Sequence, residues 1–170
     1  VSALIHADRF QSKKGRYHWK DCEIVEVKSF GQLLFVPIAP AYPFVLIKTL
    51  RNYQPDALHI HMPNVAPFLL MLIKRIFANK CKIVIHWHSD VLGASPTALV
   101  RFFYPFYRVF ERALLSMSDK VIVTSPAYLE TSIPLIPFRG KCVVIPLGIK
   151  VNPVSVLAAL FPVAASTKTG

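Results

Sequence analysis

The chain has 170 residues, 54% of them apolar and 12% aromatic, enough to bury a core and too apolar for a disordered segment. Its 20 Lys and Arg against 9 Asp and Glu give a formal charge of +11, which favours anionic partners: phosphorylated lipids, a bilayer surface, nucleotides or nucleic acid. Three cysteines, Cys22, Cys81 and Cys142, stand far apart without metal-type spacing and read as reduced thiols of a cytosolic protein. No run reaches the roughly 18–20 apolar residues that cross a bilayer, and residues 1–20 lack the apolar stretch of a signal peptide.

In chain order, residues 1–7 predict a short strand and residues 8–22, polar and basic, a loop. Residues 23–28 alternate polar and apolar and predict a second strand. Residues 42–53 predict a helix with Leu46, Leu50 and Tyr53 on one face. It stops at Gln54-Pro55, because a residue before proline avoids helical backbone. Residues 57–61 read as a strand, then 64–79 as a helix with Asn64 as N-cap and Pro67 in its first turn. After a strand at 82–88, Ser95-Pro96 opens a helix running to Met117, with Pro96 at its first position. A strand at 120–124, a short helix opened by Ser125-Pro126 and a strand at 141–146 complete the series.

The later strands are continuous apolar runs joined by helical segments. That order predicts crossover connections and a parallel sheet with helices on both faces, an α/β, Rossmann-like fold over residues 1–149. Residues 150–170 turn to Val, Ala, Pro, Ser and Thr without a period and read as a linker or irregular tail.

Parallel sheets bind ligands beyond the carboxyl ends of their strands. Four successive strands end there in polar or glycine-bearing turns: His61-Met62-Pro63-Asn64, His88-Ser89-Asp90, Thr124-Ser125-Pro126 and Pro146-Leu147-Gly148. The plain alternative is that Asn64 and Ser125 only cap helices. Residues two apart on a strand share a face, which pairs His59 with His61 and His86 with His88. The mid-strand members, His59 and His86, are expected to be satisfied core histidines, with Trp87 on the opposite face. His61, His88, Ser89 and Asp90 are expected to face a cleft.

The segment 97–117 interleaves Arg101, Arg108, Glu111 and Arg112 with six aromatic residues. It reads either as a core helix with a solvated basic side or as a membrane-touching surface, to which Lys13, Lys14, Arg16 and Lys20 add charge.

Several runs resemble family-4 retaining glycosyltransferases. Pro55-Asp56-Ala57-Leu58-His59-Ile60-His61 resembles the family's PD-x-x-H-x-H strand, and residues 83–90, IVIHWHSD, resemble its next strand with a terminal histidine and acidic neighbour. Residues 118–125, SDKVIVTS, resemble the AD-x-(V/I)-I-x-x-S strand, and residues 143–149, VVIPLGI, the strand that closes the amino-terminal domain. The resemblance implies the acceptor-side half of a GT-B architecture, two Rossmann-like domains with the active site between them. It implies transfer from a nucleotide sugar to a glycan or lipid-linked acceptor with retention, in cell-surface polysaccharide or lipopolysaccharide synthesis.

Carried onto this sequence, His88 and Asp90 are the expected catalytic positions. His61, Asn64, Ser89, Thr124, Ser125 and Gly148 are the expected substrate-binding ones. No metal or cofactor beyond the nucleotide sugar is expected, and no nucleic acid. The implied location is cytoplasmic, peripheral on the inner face of the membrane, with an anionic membrane surface as partner. The family's glycine-rich first loop and its E-x7-E pair do not occur in this sequence, and Lys150 stands where the family has Asp. The expectation is therefore a chain truncated at both ends and inactive alone. Two other classes fit parts of the pattern. One is a metal-dependent hydrolase using the His-x-His strand ends as zinc ligands. The other is a non-catalytic module for anionic membranes or nucleic acid.

Overall fold

The computed structural model describes residues 2–8, 15–33, 36–77, 80–94 and 97–148. The expected tail at 150–170 lies outside them, as do Lys13 and Lys14.

The amino-terminal part is a three-stranded sheet. β1 (Ser2–Asp8) runs parallel to β3 (Cys22–Ser29), and β2 (Arg16–Trp19) pairs antiparallel on the other side of β3. β2 lies inside the expected loop, which is corrected here. A two-residue turn, Lys20-Asp21, closes a hairpin in which Trp19 opposes Cys22, and Lys20 takes a left-handed backbone at φ 53°. β2 is an edge strand with three of its four residues exposed, so it carries no buried alternation for a sequence reading to detect. A small hairpin of β4 (Gln32–Leu33) and β5 (Val36–Pro37) follows.

α1 (Tyr42–Tyr53) occupies its expected span and ends where expected, at Gln54, whose left-handed backbone lets its amide reach the Leu50 carbonyl. Leu46 and Leu50 are buried, but Tyr53 is not part of the core. Its hydroxyl donates to Glu23, which also pairs with Arg16 at 3.0 Å, tying α1 to the hairpin.

The remaining strands form one parallel sheet in the order β6 (Ala57–Met62), β7 (Lys82–Trp87), β8 (Lys120–Val123) and β9 (Cys142–Val144). The connection from β6 to β7 is tighter than a single α-helix. A 3-10 turn at Ala66–Leu69 leads into α2 (Leu70–Phe77). Asn64 is not the formal N-cap, but its Oδ1 accepts from the Ala66 amide at 3.0 Å and shapes the same entry.

Beyond β7 lie α3 (Val91–Ala94) and α4 (Ala98–Met117). The helix start expected at Ser95-Pro96 is corrected to Thr97. Its Oγ1 accepts from the Val100 amide at 3.3 Å, while Ser95 and Pro96 are outside the described residues. At the far end, Lys141 donates to the carbonyls of Leu115, Ser116 and Ser118, helping to satisfy the end of the helix. Asp119 accepts from the Ile83 amide at 2.8 Å and from Lys82, fixing the start of β8 against β7. α5 (Pro126–Thr131), capped by Ser125 as expected, and a 3-10 stretch at Ile133–Lys141 lead into β9.

The core sits on one face of this sheet. Ile60, Met62, Ile83, Ile85, Trp87, Val121 and Val123 are buried there against Leu46, Leu50, Leu70, Ile73, Leu114, Leu115 and Leu135. The alternate residues point the other way: Ala57, His59 and His61 are exposed, while Val84, His86 and Ile122 are half-buried. The fold is α/β and Rossmann-like, and the histidines of the parallel sheet, His59, His61 and His86, lie on the face opposite the main core.

Candidate functional site

Register builds the site. β6 and β7 are parallel with His61 directly opposite His86. The ladder continues past the end of β7, because the His88 amide donates to the Met62 carbonyl at 3.0 Å. That bond keeps His88 on the same face as His86 and beside His61. Two residues per strand repeat on one face, so one register aligns two His-x-His pairs into a group of four rings. Centroids are 4.9 Å apart for His59 and His61, 5.3 Å for His61 and His86, and 4.3 Å for His86 and His88. Nδ1 of His61 and Nε2 of His88 lie 2.7 Å apart, so one of the two rings must donate to the other.

The expected division of these histidines changes. His59 is exposed, and His86 is half-buried with its Nε2 shielded from solvent and unpartnered. Neither is a satisfied core residue, as they were expected to be. The alternation along the strands was legible; which face receives the helices was not. His61 and His88 are exposed, as expected of strand ends.

Burial holds the His61 and His86 rings below the usual imidazole range, and their histidine neighbours add to this. At neutral pH these rings are uncharged, and a neutral imidazole offers one donor and one acceptor. Such a group can hydrogen-bond adjacent hydroxyls of a polyol in either sense.

Asp90 sits elsewhere. Its Oδ1 accepts from Trp87 Nε1 at 2.9 Å, Tyr128 hydroxyl at 2.7 Å and Ser132 hydroxyl at 2.7 Å. Among the described residues its hydrogen bonds go to these three groups and none goes to a histidine ring. Trp87 and Ser132 are almost fully buried, so Asp90 clasps the end of β7 to α5 and to the start of the 3-10 stretch. Burial first, and Asp90 second, push the Tyr128 hydroxyl up to about 12, so it remains a donor.

The structure joins one more of the expected residues to this clasp: the Ser125 hydroxyl accepts from the Tyr128 amide at 3.2 Å. Ser89 and Thr124 are half-buried and Gly148 exposed, following β7, β8 and β9 at the same edge of the parallel sheet. Asn64 follows β6 at that edge, half-buried. A side chain at Gly148 would meet open space, so steric crowding does not require glycine there.

Sequence reasoning missed Tyr128 and Ser132, which bind Asp90 from 38 and 42 residues away. It also missed the burial of Glu111. That carboxylate is wholly inside, pairs with Arg108 at 2.8 Å and leaves Oε1 unpartnered, while Arg108 also donates to the Pro134 carbonyl. No local pattern marks such long-range contacts.

The family model of the glycosyl transferase 4-like domain matches residues 2–148, almost the whole described span. The chain belongs to this family. No curated protein matches it. As a glycosyltransferase domain it works with a sugar donor and an acceptor in general terms.

Proposed function

We propose that the chain is the acceptor-binding half of a retaining glycosyltransferase, moving a sugar from a nucleotide-sugar donor to a glycan or lipid-linked acceptor in cell-surface polysaccharide or lipopolysaccharide synthesis. The observation that carries this reading is the open row of imidazoles leading to the carboxyl end of the sheet, beside the turns at Ser89, Thr124 and Gly148. In it, His61 and His88 hydrogen-bond sugar hydroxyls. His88 is the residue nearest the transferred group, where fixed donors stabilise developing charge. Asp90, held by three donors, positions the turn that carries His88 and Ser89. Asn64, Thr124, Ser125 and Gly148 frame the remaining strand ends.

A second observation supports a membrane-linked acceptor. The outward side of α4 is apolar: Phe102, Phe106 and Val109 are 69%, 66% and 67% exposed. Arg101 and Arg112 are exposed on the same helix. Aromatic residues in the acyl boundary with arginines on lipid phosphates suit peripheral binding at the inner face of a membrane. No described helix is long and apolar enough to cross a membrane.

The test is acceptor binding by the purified chain, measured by ligand-observed NMR with short lipid-diphosphate oligosaccharides. Binding is expected, with a loss of roughly tenfold in His88→Ala, the scale of one good hydrogen bond. Equal binding of wild type and a His61→Ala, His88→Ala double variant would overturn the assignment of this face.

A further inference from the structure

We propose that His59, His61 and His86 form a binding site for a divalent late first-row transition-metal ion of the zinc class, with His88 orienting His61. This goes beyond the transferase reading: an ion here takes the second nitrogen of His61, so that ring would meet a sugar hydroxyl only through the ion's open position.

Three observations carry it. Each of the three rings offers a nitrogen, and these nitrogens lie within 4.8 Å of one another. Nε2 of His86 is buried with no hydrogen-bond partner. An unsatisfied buried nitrogen is destabilising, and coordination would relieve it. Nδ1 of His61 is already taken by His88 at 2.7 Å, which leaves Nε2 of His61 for a metal. A ligand histidine held through its other nitrogen is the usual arrangement at metal centres, since it fixes the tautomer and the ring.

The chemistry selects the ion. Among the described residues no carboxylate joins the three rings, so the donor set there is nitrogen alone. Imidazole suits zinc, copper, nickel and cobalt, whereas magnesium and calcium need oxygen ligands. Tetrahedral coordination at about 2.0–2.1 Å brings ligand nitrogens to about 3.3 Å from one another. The His59 and His61 rings are stacked at 12° and must turn out of that stack for their in-plane nitrogens to converge on one ion, which their exposure permits without repacking the core. Three histidines leave a fourth position for water or an oxygen ligand, reached from the open face of the sheet.

The test uses the whole chain, stripped with chelator and titrated with Co²⁺ by visible absorption and with Zn²⁺ by competition. The expected result is one ion per chain, with the d–d absorption of tetrahedral cobalt. No sulfur-to-cobalt charge transfer should appear, which separates the site from Cys22, Cys81 and Cys142. His59→Ala and His86→Ala each weaken Zn²⁺ binding more than about 100-fold, and His88→Ala about tenfold, the scale of losing an orienting partner. Zn²⁺ raises the unfolding midpoint of the wild type and not of His59→Ala. Because His59 is exposed, its variant serves should His86→Ala fail to fold. Affinity unchanged in His59→Ala or in a folded His86→Ala overturns the proposal, as does the absence of one-to-one binding or equal binding of Mg²⁺.

Discussion

Asp90 shows how one carboxylate oxygen can organise a strand end. Three donors from three segments converge on Oδ1, two of them on residues almost fully buried. Removing the acceptor strands all three. Asp90→Ala is expected to lower the unfolding free energy by about 2–4 kcal/mol, while Asp90→Asn, which keeps an oxygen acceptor, loses less than half of that. Chemical denaturation of the two variants checks this, and a cost under about 0.5 kcal/mol for Asp90→Ala would remove the structural role. Comparing acceptor binding by the folded Asn variant then reads how far this clasp positions His88 and Ser89.

Glu111 is the other decisive residue at this scale. Burial pushes its carboxyl up to about 7 from an ordinary value of 4.5, opposed by Arg108. Folding thus favours the protonated form. The stability this gives is complete below about pH 4.5 and is lost as pH rises through about 7. The difference in stability between wild type and Glu111→Gln should therefore shift against the wild type by up to about 3 kcal/mol across that window. Urea titrations at several pH values measure it, and a difference independent of pH would refute the assignment.

At the scale of elements, α4 serves two surfaces. Leu114, Leu115, Val100 and Glu111 face inward, whereas Phe102, Phe106 and Val109 face outward. A helix that only packed on the sheet would not need that outer stripe. Phe102→Ser with Phe106→Ser is expected to change the unfolding free energy by less than about 0.5 kcal/mol per site, as for surface positions. The same pair should weaken partitioning onto anionic vesicles more than tenfold, since burying one aromatic contributes about 1.5–3 kcal/mol. Vesicle sedimentation decides between the two surfaces, and unchanged partitioning would leave α4 without a membrane role. The spans of α1, β6, β7 and β8 were legible to within about a residue, because turn residues and apolar runs bound them. β2 and the 3-10 entry to α2 were not, since an exposed edge strand has no apolar face and the 3-10 entry depends on the turn at Asn64.

At the scale of the whole molecule, the charge of +11 should make the proposed membrane attachment salt-dependent. Raising ionic strength from 0.1 to 1 M shortens the screening length from about 10 to about 3 Å. Vesicle binding should fall across that range while the apolar share contributed by α4 remains. Binding insensitive to salt would assign attachment to the aromatic stripe alone.

By itself the sequence determined the α/β alternation, the parallel direction of the last four strands and the gathering of polar turns at one sheet edge. Those follow from local periodicity, proline placement and connection length, all short-range properties of the chain. It also placed His59 with His61 and His86 with His88. Only the tertiary structure decided that β6 and β7 align these pairs into one group, because register is set by packing between strands. Only it decided that the helices bury the opposite residues, leaving His59 open and His86 half-buried with an unpartnered nitrogen. And only it turned Asp90 away from the histidines onto Tyr128 and Ser132, since hydrogen bonds across some forty residues leave no local trace.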